Sequence, residues 1–263
     1  MGSDPVFILL FVFIFGAIIG SFLNVLILRL HTGRTLGGRS FCFSCQSQLR
    51  WYELIPIVSF LFQRGHCRSC YASISFQYPL VEFTSAVLAV TLVYYFGLTL
   101  SALVLFLVGC SLLAIVVYDL RHTIIPNELV YFFIFSTFCY QYFNQPQFFS
   151  WLSSLDFLAG PILFCFFAFF WLVSGGRWMG LGDAKLALGI GWLLGISLGI
   201  TAVIFSFWVG AFWGLGALSL SLFRRRKSLT MKSEIPFAPF LVLGLVLVAL
   251  TRFSILDFIY AGY

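Results

Sequence analysis

From Leu186 to Phe223 the chain carries no charged residue. A helix needs roughly 20 mostly apolar residues to cross the hydrocarbon layer of a bilayer. This run is too long for one crossing and tight for two. Comparable runs recur along the 263 residues, of which 61% are hydrophobic and only 9% charged, with a mean hydropathy of +1.04. No soluble core needs that much apolar surface. Lipid offers backbone amides no partner, so a spanning segment must be a helix or part of a closed barrel. The alternating pattern of a barrel is absent. The chain therefore reads as an all-α polytopic membrane protein with about eight transmembrane helices. They are expected at approximately Val6–Leu28, Pro79–Phe96, Leu98–Tyr118, Ile124–Phe143, Phe157–Val173, Leu186–Ile200, Thr201–Phe223 and Pro236–Leu250. Gly195, Ser197 and Gly199 mark the expected turn between the sixth and seventh. The first run lacks a basic leader and is long enough to span, so it reads as a helix rather than a signal peptide.

Charge sets the orientation. With eight spans, the loops at 29–78, 119–123, 174–185 and 224–235 share one face and hold fourteen of the fifteen Lys and Arg residues. Only Arg252 falls on the other face. The positive-inside rule makes the first set cytoplasmic, with both termini outside. Removing one span would scatter the basic residues over both faces. The formal charge of +6 thus calls for no nucleic-acid partner. The run Arg224–Lys227 reads as a topology anchor facing anionic lipid.

Residues 31–77 form the only sizeable polar segment. It carries two Cys-x-x-Cys hooks, Cys42 with Cys45 and Cys67 with Cys70, separated by 21 residues. Two such hooks can place four sulfurs around one tetrahedral zinc ion. A cytosolic setting keeps thiols reduced and favours metal over disulfide. A segment this small has little core of its own, so a metal staple suits it. The other reading of the hooks is redox-active or free thiols. Cys110, Cys139 and Cys165 lie inside apolar runs and read as packing residues.

Against this background two acidic residues stand out among only nine. Asp119 ends the third expected span, and Asp183 opens the sixth within Gly180-Leu181-Gly182-Asp183. Ionisable groups at the edge of a span are costly and mark functional sites by default. Two carboxylates brought together share a proton: one can take a proton from water while the other polarises a carbonyl and assists a leaving amine. Gly180 and Gly182 remove side chains beside Asp183 and would let a substrate backbone approach. The residues alone also admit a second reading. Asp119 could pair with Arg121 and Asp183 with Lys185 as interfacial charges, or Asp183 could cap its helix.

The order of motifs along the chain resembles the type IV prepilin peptidases, Gly-x-Gly-Asp aspartic proteases of bacterial inner membranes. The likeness runs from about residue 20 to 245. It is carried by Gly20-Ser21-Phe22-Leu23-Asn24-Val25 through Arg29, and by the two Cys hooks with Leu54-Ile55-Pro56-Ile57-Val58-Ser59 and Arg64-Gly65 between them. Tyr78-Pro79-Leu80-Val81-Glu82 follows, then Asp119 with Ile125-Pro126-Asn127, Met179 through Lys185, and Pro236-Phe237-Ala238-Pro239-Phe240. Phe43 stands where the family often has Pro, and Trp178 where a Gly commonly precedes the Met.

The resemblance implies that Asp119 and Asp183 are the catalytic pair and that Cys42, Cys45, Cys67 and Cys70 bind zinc. It implies removal of a short basic leader from prepilins or pseudopilins at the cytoplasmic face of the inner membrane. It also implies methylation of the new N-terminus with S-adenosylmethionine, although no Gly-rich nucleotide-binding fingerprint is present. Gly180, Gly182, Lys185, Glu82 and Asn24 are the further candidates for shaping the site. For Glu82 and Asn24, interhelical hydrogen bonding is an equal reading. The expected organisation is a first helix at 1–30, a four-cysteine zinc-binding segment at 31–77 and a transmembrane peptidase domain at 78–263. The rivals are a presenilin or signal-peptide-peptidase type of protease, which the Cys hooks do not suit, and a cation- or proton-coupled transporter, for which no repeat pattern appears.

Overall fold

The structure is a computed structural model that describes residues 5–33, 35, 37–144, 150, 155–223 and 236–254. Arg34, the basic run Arg224–Lys227 and Lys232 lie outside the described residues. Among those described, the regular elements are helices: α1 (Pro5–Arg29), the short α2 (Val58–Phe62), α3 (Gln77–Phe96), α4 (Leu100–His122), α5 (Asn127–Asn144), α6 (Leu155–Ser174), α7 (Leu181–Phe223) and α8 (Ala238–Thr251). A 3-10 turn at Trp51–Leu54 precedes α2, and both lie between the two Cys hooks. Among the described residues strand character is confined to two isolated bridges, Phe41 with Gln48 and His66 with Ser73.

The protein is thus an all-helical, multi-pass membrane protein. Among the described residues five helices, α1, α3, α4, α6 and α7, are long and apolar enough to cross a bilayer. The 18-residue α5 carries Asn127, Glu128 and Gln141, and α8 has 14 residues. The bounds differ from expectation where local chemistry moves them. α4 continues to His122 and closes on Thr123 at φ 52°, whose amide donates to the Asp119 carbonyl at 2.8 Å. Asp119 therefore sits in the last turn of α4 rather than at its end. α5 starts just behind Pro126, because proline disfavours helical geometry in the residue before it.

The expected boundary at Ile200–Thr201 is also corrected. α7 is broken at Gly195, which adopts φ 77° and ψ −176°. Gly195 is among the expected turn residues, but the break comes five residues before the expected end of the sixth span. A side chain at 195 would place its Cβ 2.6 Å from Oδ1 of Asp156. Backbone conformation and space both call for glycine there.

The chain divides into two compact units, Met1–Ala114 and Ile115–Tyr263, with the division falling inside α4. In the first unit α1 packs on α3 through small residues. A Cβ on Gly16 or Gly20 would come within 2.7 Å of the α3 backbone at Ala86 or 2.6 Å at Glu82. Lipid supplies no hydrophobic drive between helices, so close backbone approach of this kind is what holds them. Asn24 continues the same face one turn further on. It donates from Nδ2 to the Tyr78 carbonyl at 3.1 Å and accepts from Nε2 of Gln77 at 3.2 Å.

In the second unit two helices are interrupted, and side chains repair both breaks. Pro161 lies inside α6 and cannot donate to the carbonyl of Phe157. The indole Nε1 of Trp192 donates to that carbonyl instead, at 3.0 Å. The kink at Gly195 separates the Ile196 amide from the Trp192 carbonyl, its helical partner one turn back. The amide donates to Oδ1 of Asp156 at 3.2 Å, and the carbonyl accepts from Nε2 of Gln141 at 2.6 Å. The Asp156 carboxylate also opposes the positive end of the second half of α7.

Replacing Gln141 by Leu removes the donor to the Trp192 carbonyl. The expected cost is about 1–3 kcal/mol, read as a lower thermal unfolding midpoint of the purified protein in detergent. An unchanged midpoint would remove Gln141 from this account.

Candidate active site and metal centre

Both candidate aspartates lie in the second unit, each at a helix end. Asp119 occupies the last turn of α4 and is 3% exposed, while Asp183 occupies the first turn of α7 and is 7% exposed. The Oδ2 of Asp119 accepts from the Ala238 amide at 3.1 Å, at the start of α8. That amide is one of the four at a helix N-terminus with no intrahelical partner. The Oδ2 of Asp183 accepts from the Gly180 amide at 3.2 Å, and the Asp183 amide donates back to the Gly180 carbonyl at 3.2 Å. Asp183, three residues on, thus reaches back to the N-cap amide as in one half of a capping box, and Gly180 has no side chain to supply the other half. Each carboxylate thus faces the positive end of a helix. They are near enough for the charge of Asp119 to act on Asp183.

The interfacial pairing that the residues also allowed is not what the structure displays. Lys185 donates from Nζ to Oδ1 of Asn127 at 2.7 Å and to the Tyr131 hydroxyl at 3.1 Å, and lies 5.0 Å from the Tyr131 ring centroid. Asn127 of the Ile125-Pro126-Asn127 motif is thereby tied to the Gly-x-Gly-Asp motif. Gly182 sits against Ile125, whose Cβ would lie 2.8 Å from a Cβ at 182. Gly180 faces open space apart from the Asp183 carboxylate at 3.5 Å. Gly182 therefore serves packing of Ile125, and Gly180 leaves room beside the carboxylate. Trp178 is exposed, with its amide on the Ser174 hydroxyl at 3.3 Å. The contribution of Ala238 could not be read from side-chain chemistry, because it acts through its backbone. Tyr131 carried no signal beyond its spacing of four from Asn127.

The second centre lies in the first unit. Each Cys hook is a tight turn closed in the same way. The Cys42 amide donates to the Ser47 carbonyl at 3.0 Å and the Gln46 amide to the Cys42 carbonyl at 2.9 Å. The Cys67 amide donates to the Ala72 carbonyl and the Tyr71 amide to the Cys67 carbonyl, both at 2.9 Å. Gln46 and Tyr71 hold equivalent left-handed positions at φ 59° and 58°. The four sulfurs lie within 4.8 Å of one another. Cys42 and Cys70 are 3.8 Å apart, too far for a disulfide. A tetrahedron with metal–sulfur bonds of roughly 2.3 Å has an edge of roughly 3.8 Å. The donor set and its spacing therefore fit zinc.

Hydrogen bonds favour the thiolate form at two of the four sulfurs, Cys45 and Cys67. The Ser47 hydroxyl and amide hold Cys45 down at about 6. The Cys70 and Ser69 amides hold Cys67 below the usual thiol range. The Ala72 amide acts the same way on Cys70, but burial and the three neighbouring sulfurs outweigh it and push that thiol up to about 12. Four adjacent thiols cannot all lose their protons without a cation among them. Phe43, at the departure from the usual hook, is exposed and packs edge-on against Phe41.

Of the other candidates, Asn24 and Glu82 belong to the α1–α3 contact of the first unit. Glu82 is buried and accepts the Ile57 amide on Oε2 at 2.7 Å. Cys110 is buried beside Ser85, Cys139 is half-buried, and Cys165 is exposed on α6, so packing describes the first two but not the third. A cavity of about 740 Å³ in the first unit, walled by side chains such as Phe7, Phe11, Leu92 and Phe106, has no titratable group on its lining and offers no acid–base chemistry.

Comparison with known proteins defines the class. Residues 14–96 match the bacterial peptidase A24 N-terminal domain, and residues 105–215 match the type IV leader peptidase family. The chain belongs to the type IV leader peptidase family. It is 34% identical over 248 residues to a prepilin leader peptidase/N-methyltransferase of Bacillus subtilis, covering 94% of this chain and 95% of the relative. Proteins of the same description from Pseudomonas aeruginosa and Aeromonas hydrophila are 31% and 29% identical, over 93% and 89% of this chain and 90% and 87% of theirs. No solved structure matches it significantly.

The metal centre makes a direct prediction. Elemental analysis of the purified protein is expected to find about one zinc per chain, as a four-sulfur site requires. Cys42→Ser and Cys70→Ser are each expected to lower that content strongly. Zinc retained in both variants would exclude the four-sulfur site.

Proposed function

We propose that this protein is a membrane-embedded aspartic endopeptidase that removes the short basic leader of type IV prepilins or pseudopilins, and that it also N-methylates the new terminus. The observation that carries the peptidase reading is the pair of buried carboxylates, each set on helix-terminal amides, within the stretch matched by the leader peptidase family. Asp119 and Asp183 are assigned the catalytic roles. One carboxylate takes a proton from water as the water oxygen attacks the scissile carbonyl carbon. The other gives its proton to the carbonyl oxygen, forming a neutral tetrahedral diol. When the diol collapses, a proton passes to the departing nitrogen and the carbon–nitrogen bond breaks. The products are a leader ending in a carboxyl group and a pilin with a free amine.

The charge distribution of the loops supports a position for this pair at the cytoplasmic face of a bacterial inner membrane. A basic leader then stays in the cytoplasm while the hydrophobic pilin helix remains in the bilayer. Open space at Gly180 admits the substrate backbone. Lys185, held by Asn127 and Tyr131, keeps the α7 start in register with α5. In this reading the chain comprises the first helix at 1–30, the four-cysteine segment at 31–77 and the peptidase domain at 78–263. Cys42, Cys45, Cys67 and Cys70 hold zinc, which crosslinks the two hooks of a segment too small to fold firmly by itself. S-adenosylmethionine supplies the methyl group. Methylation rests on the description of the relatives and on the presence of the four-cysteine segment. Neither the presenilin-type nor the transporter reading draws support from the family match.

Incubating the detergent-solubilised protein with a prepilin is expected to yield a shortened product. Asp119→Asn and Asp183→Asn are each expected to lose at least about 10²-fold in rate, the scale of general acid–base catalysis. If both variants keep cleaving, the assignment of the pair is wrong. Mass spectrometry of the product N-terminus, with and without S-adenosylmethionine, is expected to show one added methyl group only when the donor is present.

A further inference from the structure

The peptidase mechanism leaves Glu82 unused, although it is a buried carboxylate in a membrane-spanning helix. Its Oε2 accepts the Ile57 amide at 2.7 Å. Its backbone is fixed as well, because α1 approaches it at Gly20 with no room for a side chain. Glu82 is therefore a rigid acceptor at the junction of α1, α3 and the segment between the Cys hooks.

What it holds is strained. Ile57 has φ 62° and ψ −52°, between the 3-10 turn and α2. The Val58 amide closes onto the Pro56 carbonyl at 2.6 Å, forming a positive-φ γ-turn. A β-branched residue there is an outlier. Such strain persists only where its surroundings over-determine it, and it gathers at functional sites. A buried charge is also a costly way to make a purely structural contact.

We propose that Glu82 is a positioning residue: by holding the strained turn at Ile57 it fixes the four-cysteine segment against the α1–α3 pair in the geometry that N-methylation requires. This rests on the reading that the chain carries out methylation. Cleavage uses the aspartates of the other unit and does not need the turn.

Three variants and four readouts test it in the full-length protein: amide hydrogen exchange over residues 51–62, prepilin cleavage, methyl transfer and zinc content. In Glu82→Ala, exchange over 51–62 is expected to rise at least about tenfold as the segment loosens. Methyl transfer is expected to fall at least about tenfold, while cleavage and zinc content stay near wild type. Glu82→Gln keeps a neutral acceptor for the Ile57 amide and is expected to lie between Glu82→Ala and wild type in both exchange and methyl transfer. Ile57→Gly relieves the strain, and in the Glu82→Ala background it is expected to restore part of the methyl transfer. Unchanged exchange in Glu82→Ala overturns the proposal, as does raised exchange with full methyl transfer. A loss of cleavage equal to the loss of methylation also overturns it. If the wild-type protein transfers no methyl group, the methylation reading fails, and the exchange measurement still decides whether Glu82 holds the turn.

Discussion

The fold depends on one constraint: in lipid, a backbone amide or carbonyl released from a helix must find a partner within the protein. The break at Gly195 frees the Ile196 amide and the Trp192 carbonyl, and Asp156 and Gln141 take them. Pro161 frees the Phe157 carbonyl, and the Trp192 indole takes it. Trp192 thus gives its side chain to one break and its carbonyl to the other. Such repairs let a mostly apolar chain change direction within its spans without leaving buried polar groups exposed to hydrocarbon.

The proposed active site follows the same rule. Helix starts leave amides that lack intrahelical partners. The start of α8 presents one at Ala238 and the approach to α7 presents one at Gly180, and each is taken by a carboxylate. The contacts that complete the helix ends also fix the orientation of the two acids. An acid–base pair needs positioned groups, and helix termini are rigid places to anchor them. Lys185 is drawn to Asn127 and Tyr131, which leaves Asp183 to its capping amide. The metal centre is built differently. Two hooks with the same hydrogen bonding present four sulfurs, and a cation there takes the place of a hydrophobic core.

Much of this was legible in the residues. Long uncharged runs announce helices because lipid permits little else, and the two Cys-x-x-Cys hooks announce their cluster because a short turn brings its own two sulfurs together. The aspartates stood out because charge is scarce in such a chain. The legible part ends at contacts made through backbone atoms or between distant helices. Ala238 offers only an amide, so no side-chain pattern marks it as a partner of Asp119. Ile57 reads as an ordinary apolar residue, and its positive φ has no counterpart in composition. The expected end of the sixth span at Ile200 missed the break at Gly195, because Ser197 and Gly199 gave equally good turn signals. Asp156, 39 residues upstream in the chain, singles out Gly195.

The sequence by itself determined that this chain is a helical membrane protein with a four-cysteine segment and two aspartates at helix ends. Those properties depend on residue type, on spacing within a few turns, and on the rule that charge avoids lipid. Only the tertiary structure decided which amides the carboxylates accept, where α7 breaks, that Lys185 turns to Asn127, and that Glu82 holds the turn at Ile57. Those depend on residues brought together from far along the chain. Their partners are often backbone groups, which every residue except proline offers alike, so only the packed fold can tell one from another.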